Sequence, residues 1–493
     1  MWQLFRKIPF FLFCSLAFFK VQAQQSWGSA SSNYAGVSNI DLNPSSMVLS
    51  KCSWDINILS VDAGLLNNSF YSNPKFIFPL FFKPQITFAT SNNTNEVKVK
   101  SSDLVLRDKI QNSTFLNISS TIKGPSFMYS NGYNAFAITT AFRGGVSMFD
   151  LPKSLVQIGY ENLNGSALYG VPYNVPTNMD AAAMAWLEIG GSYARKLGES
   201  SDFIYAGGIS LKFLVGFSAG YALSNGVDYT IPYRANFTAT NLNLSYGHSI
   251  NNETNPISFG NPLGSGASAD IGFTILKKKN NKSRPYYACP QLTGGRSSVY
   301  SVSKSYRWKL GLSMIDLGGI SFSTNAAAFT YKNVGYSWDT ITRVNVKTLK
   351  QVDQLIYNNF SGATNATKNN SFFIWTPSAA SVQFDYNYND ILYMNLSLIQ
   401  RIVLPTQARL ARMNTLALTP RYEKSYFEIA IPVILNEYMY PNLGIMVRYK
   451  YFFIGSDQLG STLGLTPLYG LNIYFGIKIN HFGNIFRDPK VSY

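Results

Sequence analysis

Charged side chains interrupt alternating apolar segments along this chain: Glu188, Lys212, Asp385, Arg421, Glu423, Glu428, Arg448, Lys450 and Lys478. Each shares its face with glycine, alanine, serine or asparagine, while the large apolar residues take the other face. An ion held away from water is tolerated when an opposite ion and hydrogen bonds meet it. Such a set therefore either neutralises itself across an enclosed space or leaves a surplus that filters solutes of the opposite sign. The basic members Arg421, Arg448, Lys450 and Lys478 cluster toward the C-terminus, with Glu423, Glu428 and Asp385 as the acids placed to pair with them. Pairing across a lumen is the expected outcome, and a path for anionic solutes is the alternative.

Other chemistry finds little material. The two histidines, His248 in "YGHSINNET" and His481 near the end, read as loop residues. Neither has the serine and orienting acid that nucleophilic hydrolysis requires. No Cys/His grouping has the spacing of a metal site. "GSGASAD" (264–270) lacks the Gly-Lys-Ser/Thr ending of a phosphate loop and precedes a strand. The expectation is a non-enzymatic protein with no metal and no cofactor. Cys14 lies in the leader, so Cys52 and Cys289 remain; they form one bridge in an oxidising compartment or stay as two thiols.

The elements that position these charges are strands. "GLNIYFGIKI" (470–479) puts Leu471, Ile473, Phe475, Ile477 and Ile479 on one face, with Asn472, Tyr474, Gly476 and Lys478 on the other. The same period of two runs through "SLKFLVGF" (210–217), "SVQFDYNY" (381–388), "YFEIAIPVIL" (426–435) and "NLGIMVRYKYFF" (442–453). A soluble sheet would fill its polar face with Lys, Glu and Thr. Here small residues dominate it, as a crowded lumen favours. Segments of ~9–11 residues suffice to cross a membrane as tilted strands, and closure removes the exposed edges. The fold class is all-β, a transmembrane antiparallel β-barrel of about 14 strands. Short amphipathic helices are expected in loops, at "VNVKTLKQVDQLIYNNF" (344–360) and "SSDLVLRDKIQ" (101–111). If the last strand ends in the periplasm, counting strands backwards puts the turns at Glu423–Ser425 and Asn387–Asp390 outside. The longer loop from Ile402 to Met413 then falls in the periplasm.

Residues 1–23 read as a signal peptide: Arg6 and Lys7, an apolar run from Ile8 to Phe19, then Val21-Gln22-Ala23 before Gln24. Aromatic residues make up 15% of the chain and charged ones 13%, about half the ~25% charge usual in soluble domains. A surface partly covered by lipid and ringed by aromatic girdles accounts for both figures. The formal charge of +16 suits contact with outer-membrane lipid and lipopolysaccharide. No basic helix or binding motif points to nucleic acid.

Several segments resemble a family of uncharacterised outer-membrane barrels common in Bacteroidota, known by a domain-of-unknown-function label. The resemblance lies in "LALTPRYEKSYFEIAIPVILNEYMYPNLGIMVRYKYFFIGSDQLGSTLGL", "YGLNIYFGIKI", "WKLGLSMIDLGGISF" (308–322) and "ASADIGFTI" (267–275). In "SNYAGVSNIDLNPSSMVLS", the Asn43-Pro44-Ser45 element is similar to one in long-chain fatty-acid transporter barrels. A more distant likeness is to the barrels that accompany type IX secretion. The resemblance implies the outer membrane as location, a plug or periplasmic segment at 24–50, a barrel over 51–481 and a tail at 482–493. It implies no catalytic residues. Two functions follow as expectations. The first is a structural or partner-binding accessory in envelope assembly or secretion, with other envelope or secretion proteins as partners. The alternative is a transporter of hydrophobic or small amphipathic molecules.

Overall fold

A computed structural model describes residues 26–72, 113–154, 169–233, 236–251, 260–279, 306–338, 367–403, 407–466 and 469–480, with short pieces of the loops between them. The signal peptide, Cys289, His481 and the tail lie outside the described residues.

The chain closes into an antiparallel barrel of 14 strands. They are β1 (Trp54–Asn67), β2 (Ser113–Lys123 with Ser126–Ser130), β3 (Asn134–Pro152), β4 (Pro172–Glu199) and β5 (Phe203–Thr230). Then come β6 (Phe237–Ser249 with Gly264–Lys278), β7 (Tyr306–Phe322 with Ala326–Trp338) and β8 (Thr367–Asn369, Phe372–Trp375 and Ala379–Asn387). Next are β9 (Leu392–Arg401), β10 (Thr415–Glu423), β11 (Phe427–Ala430 with Val433–Asn436) and β12 (Tyr440–Leu443 with Ile445–Tyr449). The last two are β13 (Phe452–Ser456) and β14 (Gly470–Asn480). Closure runs through β1 and β14, from Asp55 opposite Asn480 to Leu65 opposite Leu471. Interruptions within a strand fall where the sequence removes a donor or inserts a residue. Pro432 splits β11, and β5 bulges between Gly216 and Ser218.

The apolar face of each strand points outward. Leu211 and Phe213 on β5 are 62% and 56% exposed, while Lys212 and Leu214, which alternate with them, are buried. This inverts the soluble arrangement and gives the barrel a lipid-facing wall. Among the described residues no helix is long and apolar enough to cross a membrane.

The sidedness expected from strand counting is reversed. "NLGIMVRYKYFF" is two strands joined by a tight turn in which Lys450 adopts φ 52°. That missed turn adds one crossing. The turns at 387–392 and 423–427 therefore lie at the same end as Asn480, and the 402–413 loop lies at the opposite end. The described connections at the Asn480 end are tight turns, although the link from Lys278 to Tyr306 also joins strands at that end. One expected helix is also corrected: Leu104–Leu106 is a strand paired with Phe70–Ser72. In the other, Gln351, Asp353, Gln354 and Ile356 are helical.

The packed interior is supplied by the N-terminal segment. A short helix, α1 (Trp27–Ala30), and two 3₁₀ turns (Gly36–Asn39 and Pro44–Leu49) enter the lumen. Val37, Ile40, Leu42 and Met47 are at most 1% exposed. Val37, Ile40 and Met47 pack on Met128, Ala135, Ala194 and Ala206 of the wall.

Candidate functional site: a plugged lumen with an internal chamber

Three layers fill the lumen. The lowest, at the Asn480 end, gathers most of the charges read from the sequence. Arg421, whose side chain is fully buried, reaches Asp385 and Glu423 at 2.8 Å each. Lys309 and Lys51 approach the same two acids at 3.5 and 3.6 Å. Arg448 meets Glu428 at 2.9 Å, and Lys478 lies 3.8 Å from Asp55 and donates to the Ala35 carbonyl. Every one of these wall pairs touches the plug. Ser32 donates to Glu428 at 2.9 Å, and Asn33 Nδ2 donates to Glu423 at 2.8 Å. Asp55 accepts the Val37 amide at 2.6 Å, a close approach made by Gly36, whose φ is +52°. Burial pushes the Lys51 ammonium below the ordinary lysine value, with Glu423 opposing. It also raises the Tyr34 phenol, again with Glu423. Lys450 is not part of this layer. It is exposed on the turn between β12 and β13, because the hairpin reverses one residue after the alternation places it inward.

The middle layer is the Asn43-Pro44-Ser45 element. Asn43 caps the second 3₁₀ turn by accepting from the Ser45 amide at 3.1 Å. Its Nδ2 donates to Thr274 on β6 at 3.2 Å and to Gln383 on β8 at 3.0 Å. The Ser45 hydroxyl lies 2.6 Å from that of Thr274. The wall opposite is built of glycine. A Cβ on Gly208 would stand 2.5 Å from the Ser45 nitrogen, and one on Gly272 would stand 2.1 Å from Asn43 Oδ1. The small residues of the inner face are therefore the seat of the plug.

In the third layer the sequence names Glu188 and Lys212, but not the Asp316, Asp270, Arg143 and Arg412 that surround them. Asp316 on β7, at φ 54°, gathers Arg143 at 2.9 Å, Lys212 at 3.0 Å and Arg412 at 2.6 Å. Lys212 also meets Asp270 at 2.8 Å, and Arg143 meets Glu188 at 3.3 Å while lying over the Trp186 ring. Arg412 comes from the β9–β10 loop, which folds into the barrel mouth. Its Ala411 amide donates to Ser147, its Ala411 carbonyl accepts from Asn117, and Arg409 holds Asp180 at 2.7 Å. The hint in the sequence was a pair of arginines, Arg409 and Arg412, in a loop otherwise apolar enough to enter the core.

Between this inward loop and the plug lies a chamber of about 160 Å³. Trp27, Trp186, Leu410, Met413 and Phe453 supply its apolar lining; Ser119, Thr121, Asp41 and Asp62 are among its polar groups.

Two sequence expectations stand apart from these layers. Cys52 is buried beside Asn480, whose Nδ2 is 3.8 Å from its sulfur. His248 lies in β6 rather than in a loop, with Nε2 2.8 Å from Asp353 of the β7–β8 insertion. The ring pins that insertion to the barrel.

Residues 44–457 match DUF5723, a family of unknown function. The chain belongs to this family. No curated protein matches the sequence. Among solved structures, the barrel is similar to a Pseudomonas aeruginosa FadL homologue at 12% identity, covering 94% of this chain and 98% of that one, with a TM-score of 0.40. It is similar to the toluene transporter TbuX of Ralstonia pickettii at 9% identity, covering 94% and 100%, with a TM-score of 0.38. It is also similar to the toluene transporter TodX of P. putida at 7% identity, covering 91% and 94%, with a TM-score of 0.38.

Proposed function

We propose that this DUF5723 barrel sits in the outer membrane and passes small amphipathic molecules through a lumen gated by its N-terminal plug. The chamber between the plug and the β9–β10 loop carries this reading. A purely structural barrel gains nothing from an enclosed space of this size lined by both indole rings and hydroxyls, whereas binding sites for small molecules combine an apolar lining with a few placed polar groups. An open porin is disfavoured, since the plug and the inward loop both cross the lumen. The location is supported by the outward apolar band and the even strand number, and tight turns such as those described at the Asn480 end face the periplasm in outer-membrane barrels. Lipid and lipopolysaccharide would then be the surroundings of the wall.

The plug is held by polar contacts as well as by apolar ones. The structural-accessory reading ranks second, because no described surface feature singles out a protein partner. Equilibrium binding of a small amphipathic fluorophore to the detergent-purified protein tests the proposal. Binding that is lost in Ser119→Trp, which places an indole in the chamber, is the expected result. Unchanged binding in that variant overturns the chamber as the site.

A further inference from the structure

The charges lining the chamber balance in number, three cations against Asp41, Asp62 and Asp316, but they are unevenly paired. Its three cations, Lys123, Arg143 and Arg412, are each held by an acid: Lys123 by Asp41 at 2.6 Å, and Arg143 and Arg412 by Asp316. Asp41 is thereby matched, and Asp316 faces more cations than its single charge balances, with Glu188 also meeting Arg143 at 3.3 Å. The remaining lining acid, Asp62 on β1, forms no ion pair among the described residues. Its Oδ2 accepts from the Ser26 hydroxyl at 2.5 Å and its Oδ1 from Asn472 Nδ2 at 3.2 Å. Behind it stands a second buried acid, Asp457, with no ion pair among the described residues. That carboxylate accepts from the Trp27 amide at 3.0 Å and the Tyr474 hydroxyl at 3.1 Å, and its own amide donates to Asn472 Oδ1 at 2.8 Å. Asn472 thus links the two carboxylates, and consecutive plug residues, Ser26 and Trp27, close over them.

An unpaired carboxylate in a water-poor space is costly, and a cation arriving beside it relieves that cost. Three aromatic residues, Trp27, Trp186 and Phe453, line the same chamber; Arg143 already lies over the Trp186 ring, and the faces of the other two are of the kind that attracts ammonium groups. An anionic guest would instead have to displace Asp41 or Asp316 from a cation already hydrogen-bonded to it.

We infer that the chamber selects amphipathic amines, organic cations with a small apolar body, through the carboxylate of Asp62 backed by Asp457. This rests on the channel reading above and specifies its substrate class.

The test is a matched series on the full-length protein in detergent, read by titration calorimetry: 2-phenylethylammonium, 2-phenylethanol and phenylacetate, which share a ring and differ in charge. The ammonium compound should bind roughly 10- to 100-fold more tightly than the alcohol, the gain of one charge-assisted hydrogen bond in a buried site, and phenylacetate least. Asp62→Asn should bring the ammonium compound down to the level of the alcohol while leaving alcohol binding in place. Asp457→Asn, a residue outside the lining that reaches it through the Trp27 amide and Asn472, serves if the first variant does not assemble, and should weaken the same preference. Equal binding of ammonium and alcohol, or tighter binding of phenylacetate, overturns the charge selection while leaving the channel proposal standing. Binding of none of the three overturns both.

Discussion

Gly208→Ala should unseat the plug and leave the barrel intact. The added methyl points into the lumen from β5, where it would lie 2.5 Å from the Ser45 nitrogen, 2.6 Å from the Pro44 carbonyl carbon and 2.8 Å from Ser45 Cα. All three are backbone atoms, so no side chain can swing aside. Relief requires the 3₁₀ turn to retreat by roughly 1 Å, and overpacking of this kind costs about 1–3 kcal/mol. The same retreat stretches the Asn43 bonds to Thr274 and Gln383, now 3.2 and 3.0 Å, at about 1 kcal/mol for each bond lost. Docking of the plug should weaken by about 2–4 kcal/mol, which is a shift of roughly 30- to 700-fold in the undocked fraction. Hydrogen exchange followed by mass spectrometry reads this directly. Peptides over residues 36–50 should lose protection by that factor, while those over β4 and β5 keep theirs. Unchanged protection of the plug, or a loss spread evenly over the strands, would refute the reasoning that glycine is kept there for the plug.

Other substitutions separate buried ions from exposed ones and test the mouth. Arg421→Ala strands Asp385 and Glu423 with only the more distant Lys309 and Lys51, and should cost about 3–5 kcal/mol of folding stability in urea titrations. Lys450→Ala, on the exposed turn, should change the same titration by less than about 0.5 kcal/mol; equal effects would contradict the assignment of the two residues to interior and turn. Asp316→Asn removes the anion that holds Arg143, Lys212 and Arg412 together. The β9–β10 loop should then be cut by added protease well before any strand, and continued resistance would mean that its apolar contacts hold it without the acid.

The barrel was legible because its signal is repeated. In β14, Leu471, Ile473, Phe475, Ile477 and Ile479 alternate with small or polar residues, and outward apolar packing requires nothing else of the sequence. Glycine on the inner face was legible as crowding, although not as the seat for Asn43 and Ser45, since that contact joins residues far apart in the chain. The pair of Arg421 with Glu423, two residues on in the same strand, and that of Arg448 with Glu428, directly opposite on the neighbouring strand, are within reach of sequence reasoning. The Asp316 cluster was not, since its cations come from β3, β5 and a loop that returns into the lumen. Lys450 was misplaced for a local reason. Alternation carries a residue inward until the chain turns, and the turn here uses a lysine at φ 52° rather than the glycine or asparagine that would have announced it.

The central claim is that movement of the plug opens the path for small amphipathic molecules. Ser45→Cys with Thr274→Cys, whose parent hydroxyls lie 2.6 Å apart, would lock the plug to β6 by a disulfide, with Cys52 and Cys289 replaced by serine. Uptake of a small amphipathic fluorophore into outer-membrane vesicles carrying this protein should stop on oxidation and return on addition of reductant. Uptake that continues unchanged with the plug locked would contradict the account.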